Sequence, residues 1–317
     1  MIKHYAEDII FMKKIIMANG NIKASEIGLG CMRIAKLDKN TVNSLINTAL
    51  DCGINFFDHA DIYGKGKSEE IFSEAISLTP SLREKMIIQS KCSIRPGMYD
   101  FSKEYIINSV DGILKRLNTE YLDILLLHRP DTLMEPEEVN EAFEKLYKEG
   151  KVRNFGVSNH NSMQIELLNK YLTNKITINQ LQFSIMHTGI IDSGLNVNMK
   201  NSPSIDRDSS ILEYCRLNDI TIQAWSPYQY GFFEGTFIDN PKFPELNKKL
   251  NELAEKYNVS STAIATAWIL RHPAKIQTIV GTTNENRLRD ICTASNIQLT
   301  REEWYSLYIA AGNQLPE

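Results

Sequence analysis

Residues 53–70 read Gly53-Ile54-Asn55-Phe56-Phe57-Asp58-His59-Ala60-Asp61-Ile62-Tyr63-Gly64-Lys65-Gly66-Lys67-Ser68-Glu69-Glu70. The apolar run from Ile54 to Phe57 has the length of a buried strand, and it ends abruptly in a carboxylate, Asp58. A short polar loop then carries Tyr63, and Ser68-Glu69-Glu70 opens an amphipathic helix. By itself the stretch reads equally well as a strand, an acidic turn and a helix with Tyr63 as a packing residue. Its meaning depends on whether the unit recurs and on what stands at the matching positions.

It does recur. Strands are expected near 26–31, 54–58, 86–91, 121–127, 152–157, 177–183, 220–225 and 276–281. Helical patterns fall between them, near 40–52, 67–78, 102–117, 137–149, 162–172, 209–218, 245–257 with 260–271, and 284–294. Runs such as Ile124-Leu125-Leu126-Leu127 are apolar throughout, as strands covered on both faces are. Eight such βα units predict a closed (β/α)8 barrel, the TIM barrel, with residues 1–317 as a single domain. Ile15-Ile16-Met17 and Ile22-Lys23-Ala24 flank Ala18-Asn19-Gly20-Asn21, and Asn-Gly between such runs signals an N-terminal β-hairpin. A further helix is expected over 301–311. Two long connections, 184–208 and 226–244, follow the sixth and seventh barrel strands, and loops of that length in a compact fold are usually functional.

Composition narrows the class. Hydrophobic content of 43% and charge of 23% describe an ordinary globular chain, and a net charge of −4 from 35 basic and 39 acidic residues argues against a nucleic-acid surface. No apolar run approaches the roughly 18 residues a membrane span needs, so no membrane partner is expected. Cys31, Cys52, Cys92, Cys215 and Cys292 are scattered without paired spacing, which predicts reduced thiols and a cytoplasmic protein. Metal ligation is not expected, because no His, Cys, Asp or Glu cluster has ligand spacing. Met12 followed by Lys13-Lys14 has the form of a start site, which would make residues 1–11 an N-terminal extension.

A barrel of this kind places its site at the C-terminal ends of the strands. The second strand ends in Asp58 with Tyr63 beyond it, the third in Lys91 and the fourth in His128. Asp58, Lys91 and His128 are 33 and 37 residues apart, about one βα unit each, so the three tips converge on one mouth. Tyrosine is a reluctant acid near neutrality. An ammonium about 4 Å away would favour its phenolate by roughly 4 kcal/mol at an effective dielectric near 20, before desolvation opposes it. Asp58 would keep Lys91 charged and in place, and a neutral His128 would orient a substrate oxygen. Such a group suits protonation of a carbonyl oxygen as a hydride reaches its carbon.

With these residues the chain resembles an aldo-keto reductase over nearly its whole length. The resemblance rests on Phe57-Asp58-His59-Ala60-Asp61-Ile62-Tyr63-Gly64, on Leu127-His128-Arg129-Pro130-Asp131 and on Gly156-Val157-Ser158-Asn159. It implies a catalytic tetrad of Asp58, Tyr63, Lys91 and His128, and a nicotinamide carboxamide held by Ser158, Asn159 and Gln180. Trp225 and Ser226 would flank the nicotinamide, with Trp225 where the family commonly has a tyrosine. This, with the segment from Cys215 to Pro227, is similar to a bacterial oxidoreductase branch. Gly281, Thr282, Thr283, Arg287 and Asp290 would form the 2′-phosphate site, Gly281 standing where the family often has lysine. The implied cofactor is NADP(H), with NAD(H) left open by that glycine. No GxGxxG motif accompanies these residues: Gly28-Leu29-Gly30 lacks the third glycine. Met32, Ile62, Ile94 and Arg129 are expected to line a pocket for a small carbonyl substrate, in a monomer.

Two other readings stay open on sequence. One is a cofactor-binding sensor or regulatory protein with weak or no turnover. The other keeps the barrel but makes Lys91 the Schiff-base lysine of an aldolase, which leaves Ser158, Asn159 and Trp225 without a purpose.

Overall fold

The computed structural model describes residues 12–316, so the proposed extension at 1–11 lies outside the described residues. Twelve strands are found there. β1 (Lys14–Met17) and β2 (Ile22–Ser25) form an antiparallel hairpin. At its turn Asn19 and Gly20 have φ of 53° and 94°, the positive values a primed turn requires, and the Asn21 N–H donates to the Ala18 carbonyl at 3.0 Å.

Eight strands close the barrel: β3 (Ile27–Gly30), β4 (Phe56–Asp58), β5 (Ile87–Cys92), β8 (Ile124–Leu127), β9 (Phe155–Ser158), β10 (Ile176–Gln182), β11 (Thr221–Trp225) and β12 (Gln277–Val280). All neighbours are parallel, and β12 pairs with β3 through Thr278 opposite Ile27 to complete the ring. The fold is therefore the (β/α)8 barrel read from the sequence, with a helix over Arg301–Ala310 after the eighth unit. β6 (Ile94–Arg95) and β7 (Met98–Tyr99) form a small hairpin beyond β5 that sequence reading passes over. Two-residue strands carry too little period-two signal to be seen. Likewise, 184–208 carries secondary structure of its own, a helix over Gly189–Leu195 and a 3-10 turn over Ser202–Ser204.

Two apolar layers hold this frame. Outside the ring, strand side chains such as Leu125, Leu127 and Val157 pack with the helices. Inside, Phe56, Ile124, Leu126, Ile178 and Ile279 join Ile15, Met17 and Ala24 of the hairpin, which plugs the barrel at its N-terminal end. Because side chains alternate across a strand, each of these inward apolar residues has its next inward neighbour two positions on, nearer the mouth. Those neighbours are Asp58 after Phe56, His128 after Leu126 and Gln180 after Ile178. On these strands the interior is thus apolar below and polar at the mouth. Gly156 is required where β9 meets its neighbours, since a Cβ there would lie 2.5 Å from Leu126 Cδ2 and 2.8 Å from the Ile178 carbonyl.

Candidate active site

Asp58 ends β4 and is buried, and Lys91, next to last in β5, is fully buried. Lys91 Nζ donates to Asp58 Oδ1 at 2.7 Å, to Oδ2 at 2.8 Å, to the His59 carbonyl at 2.8 Å and to the Tyr63 hydroxyl at 3.2 Å. Tyr63 opens the turn Tyr63–Gly66 immediately beyond β4. His128 follows β8, pinned by its backbone N–H to the Cys92 carbonyl at 2.8 Å and to Ser93 Oγ at 3.1 Å. Its ring meets that of Tyr63 edge-on, with centroids 6.1 Å apart.

Electrostatics follow from burial and neighbours. Burial works against the Lys91 ammonium, but Asp58 and Tyr63 outweigh it and hold its pKa above the ordinary lysine value. Burial pushes the Tyr63 phenol above its ordinary value, with Lys91 offsetting only part of this. The lowering expected from Lys91 alone is therefore reversed, because the site that brings the ammonium close also excludes the water a phenolate needs. Burial first, then Lys91 and Arg129, holds His128 well below the usual imidazole range, so it is neutral at physiological pH.

These groups stand in a cavity of about 740 Å³ at the C-terminal end of the barrel. Tyr63, Asp58 and His128 form its floor, with Lys91 directly beneath. Ser158, Asn159, Gln180, Trp225 and Ser226 line one side of it, and Gly281, Thr282 and Arg287 also line it. Met32, Ile62, Ile94 and Arg129 complete the expected wall. Thr283 and Asp290 are not in it: by Thr283 the chain is entering the Asn284 cap, and Asp290 lies near the far end of the helix Glu285–Cys292, whose first turn carries Arg287. Asn159 and Ser226 take φ of 60° and 51°, a left-handed conformation uncommon without glycine, which turns the chain sharply at both strand ends. They are interlocked. Trp225 Nε1 donates to Asn159 Oδ1 at 3.0 Å, Asn159 Nδ2 to Ser158 Oγ at 2.7 Å, and Ser158 Oγ to the Gln180 carbonyl at 2.9 Å.

Several lining residues are missed by sequence reading. Phe232 and Phe233 of the 226–244 loop stand over Trp225, with ring centroids 6.3 and 6.0 Å from it, yet remain 64% and 51% exposed. Arg33, in the turn after β3, points its Nη1 to within 3.5 Å of the Gly281 carbonyl. A side chain at Gly281 would meet nothing within 4 Å, so Arg33 brings a cation to the place where position 281 supplies none. No sequence signal marks Arg33, because its reach depends on β12 closing against β3.

Residues 26–310 match the family model described as the aldo/keto reductase family. The chain belongs to this family. It is 36% identical over 287 residues to the uncharacterized oxidoreductase YcsN of Bacillus subtilis, an alignment covering 86% of this chain and 89% of that protein. It is 31% identical over 310 residues to a 6-dehydroglucose reductase of Novosphingobium aromaticivorans, covering 95% and 96%. Among solved structures, a thermostable aldo-keto reductase in complex with the inhibitor epalrestat superposes with a TM-score of 0.76 at 25% identity, covering 94% of this chain and all of that one. An aldo-keto reductase from Klebsiella pneumoniae in complex with NADPH superposes with a TM-score of 0.75 at 24% identity, covering 93% and 94%.

Proposed function

We propose that this aldo-keto reductase is an NADP(H)-dependent enzyme that reduces an aldehyde or ketone to an alcohol, acting in the cytoplasm as a monomeric single barrel. The observation that carries the reading is Tyr63: a phenol at the floor of the cavity, 3.2 Å from a buried ammonium that Asp58 holds in place.

The residues present fit a nicotinamide dinucleotide. Gln180 and the Ser158–Asn159 pair offer hydrogen-bonding groups at the mouth, Trp225 offers a flat face, Arg33 offers a cation at the open Gly281 backbone, and Arg287 offers a second one on the cavity wall. The reduced cofactor supplies the hydride. The chain does the rest. Neutral His128 orients the substrate oxygen towards Tyr63, and Tyr63 donates its proton to that oxygen as charge develops there. Lys91 stabilises the phenolate left behind, and Asp58 keeps Lys91 from drifting toward it. The Phe232–Phe233 loop would shield the reacting atoms from water.

NADPH consumption with a panel of carbonyls tests this, including hydroxylated aldehydes of the kind that the 6-dehydroglucose reductases are named for. Oxidation of NADPH coupled to alcohol formation is the expected result. Tight NADPH binding with no oxidation across the panel would instead favour a sensing role.

A further inference from the structure

Beneath the tetrad, the interior of the barrel holds four glutamines joined end to end. Gln277 Nε2 donates to the Ser25 carbonyl at 2.7 Å, and Gln223 Nε2 donates to Gln277 Oε1 at 2.8 Å. Gln223 Oε1 then accepts from both Gln89 Nε2, at 2.9 Å, and Gln180 Nε2, at 3.0 Å. Those same two nitrogens donate onward to Asp58 Oδ1, at 2.6 and 3.1 Å. All four glutamine side chains are buried.

The direction of the chain is fixed from below. A backbone carbonyl only accepts, so Gln277 must turn its NH2 to Ser25 and its oxygen to Gln223. Gln223 must then turn its NH2 down and its oxygen up, and Gln89 and Gln180 must each present NH2 to it. An amide nitrogen carries two hydrogens, and in both residues the second one goes to Asp58. The network thus delivers two N–H donors to a carboxylate that is already gripped by Lys91. It also leaves Gln180 with only its Oε1 for the cavity.

We propose that Gln223 and Gln89 are positioning residues of this site. Gln223, by setting which way Gln180 faces, fixes an acceptor at the place where the cofactor's carboxamide is read. Together with Gln89 it also keeps Asp58 as a carboxylate oriented on Lys91. This inference rests on the proposed reduction and deepens it, since neither glutamine touches substrate or cofactor.

The test compares Gln223→Leu, Gln223→Glu and Gln89→Leu with the unaltered chain by NADPH titration, by the pH profile of turnover and by thermal melting. Gln223→Leu leaves the Gln180 NH2 with Asp58 as its one acceptor in the network, at 3.1 Å, and should weaken NADPH binding roughly tenfold, the usual effect of one poorly held hydrogen-bonding group. Gln89→Leu leaves Gln180 in place but removes a donor from Asp58. It should move the acid limb of the profile to higher pH with NADPH affinity intact. Gln223→Glu is the conservative control, because it keeps the acceptor. When protonated, its O–H donates to Gln277 and its C=O accepts from Gln89 and Gln180, as the amide does. When ionised it no longer donates to Gln277 but still accepts from Gln89 and Gln180, so Gln180 stays turned the same way in either state. NADPH affinity of this variant should therefore stay within about twofold of the unaltered chain across the pH range, the conservative rescue of what Gln223→Leu loses.

A merely structural network would lower the melting temperature and move none of these. Folded leucine variants whose NADPH affinity and pH profile stay within about twofold of the unaltered chain would overturn the proposal. So would a folded Gln223→Glu variant whose NADPH affinity falls about tenfold although it keeps the acceptor for Gln180, an outcome that counts even if the leucine variants do not fold. Should the unaltered chain reduce no carbonyl, the reduction itself fails, and the NADPH titrations still decide the role of Gln223.

Discussion

The ammonium of Lys91 sits 3.2 Å from the phenol oxygen of Tyr63 while both oxygens of Asp58 hold it from the other side. A buried cation so placed is already committed before any substrate arrives. Its attraction for Tyr63 grows only when the phenol gives up its proton, so the interaction is weaker in the ground state than at the moment of transfer.

Replacing Tyr63 with Phe removes the proton donor and little else. Turnover should fall by roughly a thousandfold, within the range that positioned acid–base groups supply. NADPH affinity, measured by fluorescence titration, should stay unchanged. A Tyr63→Phe variant with full turnover would show that the proton comes from elsewhere.

Lys91→Met leaves Asp58 as an unpaired charge where the carboxylate side chain is only 4% exposed. Breaking a buried pair in this way typically costs about 3–5 kcal/mol, which denaturant titration would read. Adding Asp58→Asn to the same chain should restore much of that stability without restoring turnover.

Asp61 gives a pH-dependent stability. Its carboxyl is pushed up to about 7 by burial and by Glu69, and its Oδ1 has no hydrogen-bond partner. The folded state therefore holds a proton that the unfolded chain releases near pH 4. The penalty for ionised Asp61 is fully present above pH 7 and fades as pH falls towards 4. Asp61→Asn should raise the melting temperature most at pH 8, with the gain shrinking steadily in more acidic buffer. An equal gain at every pH would contradict this.

Arg287→Met should raise the KM for NADPH about tenfold or more, as expected for the loss of a charge-assisted contact, with a much smaller effect on NADH. Arg33→Met should act in the same direction, because Arg33 reaches the Gly281 carbonyl and both cations line the cavity. Equal effects on both cofactors would place the arginines away from the 2′-phosphate.

Sequence carried the eight-unit rhythm because βα units repeat one period, and it carried Asp58, Lys91 and His128 because each stands within one residue of its strand's end. Strand pairing between residues far apart in the chain was beyond it. Arg33 meets Gly281 across 248 positions, and Gln277 meets Ser25 across 252. Gln89 is instructive. It stands two residues before Lys91, so strand alternation places it on the same inward face, yet nothing local says that Asp58 and Gln223 wait there. Phe232 and Phe233 sit in a loop without period, where composition alone cannot show what they cover.

The hairpin of β1 and β2 seals the end of the barrel opposite the mouth. On its outer side Ile16 is 60% exposed, while all five native cysteines are buried and free. A single cysteine engineered at Ile16 would therefore be the readily reached thiol in the described chain. Coupled to a bead or an electrode through it, every molecule would stand with its opening turned to the bulk solution, a uniform orientation that random attachment through surface lysines does not give.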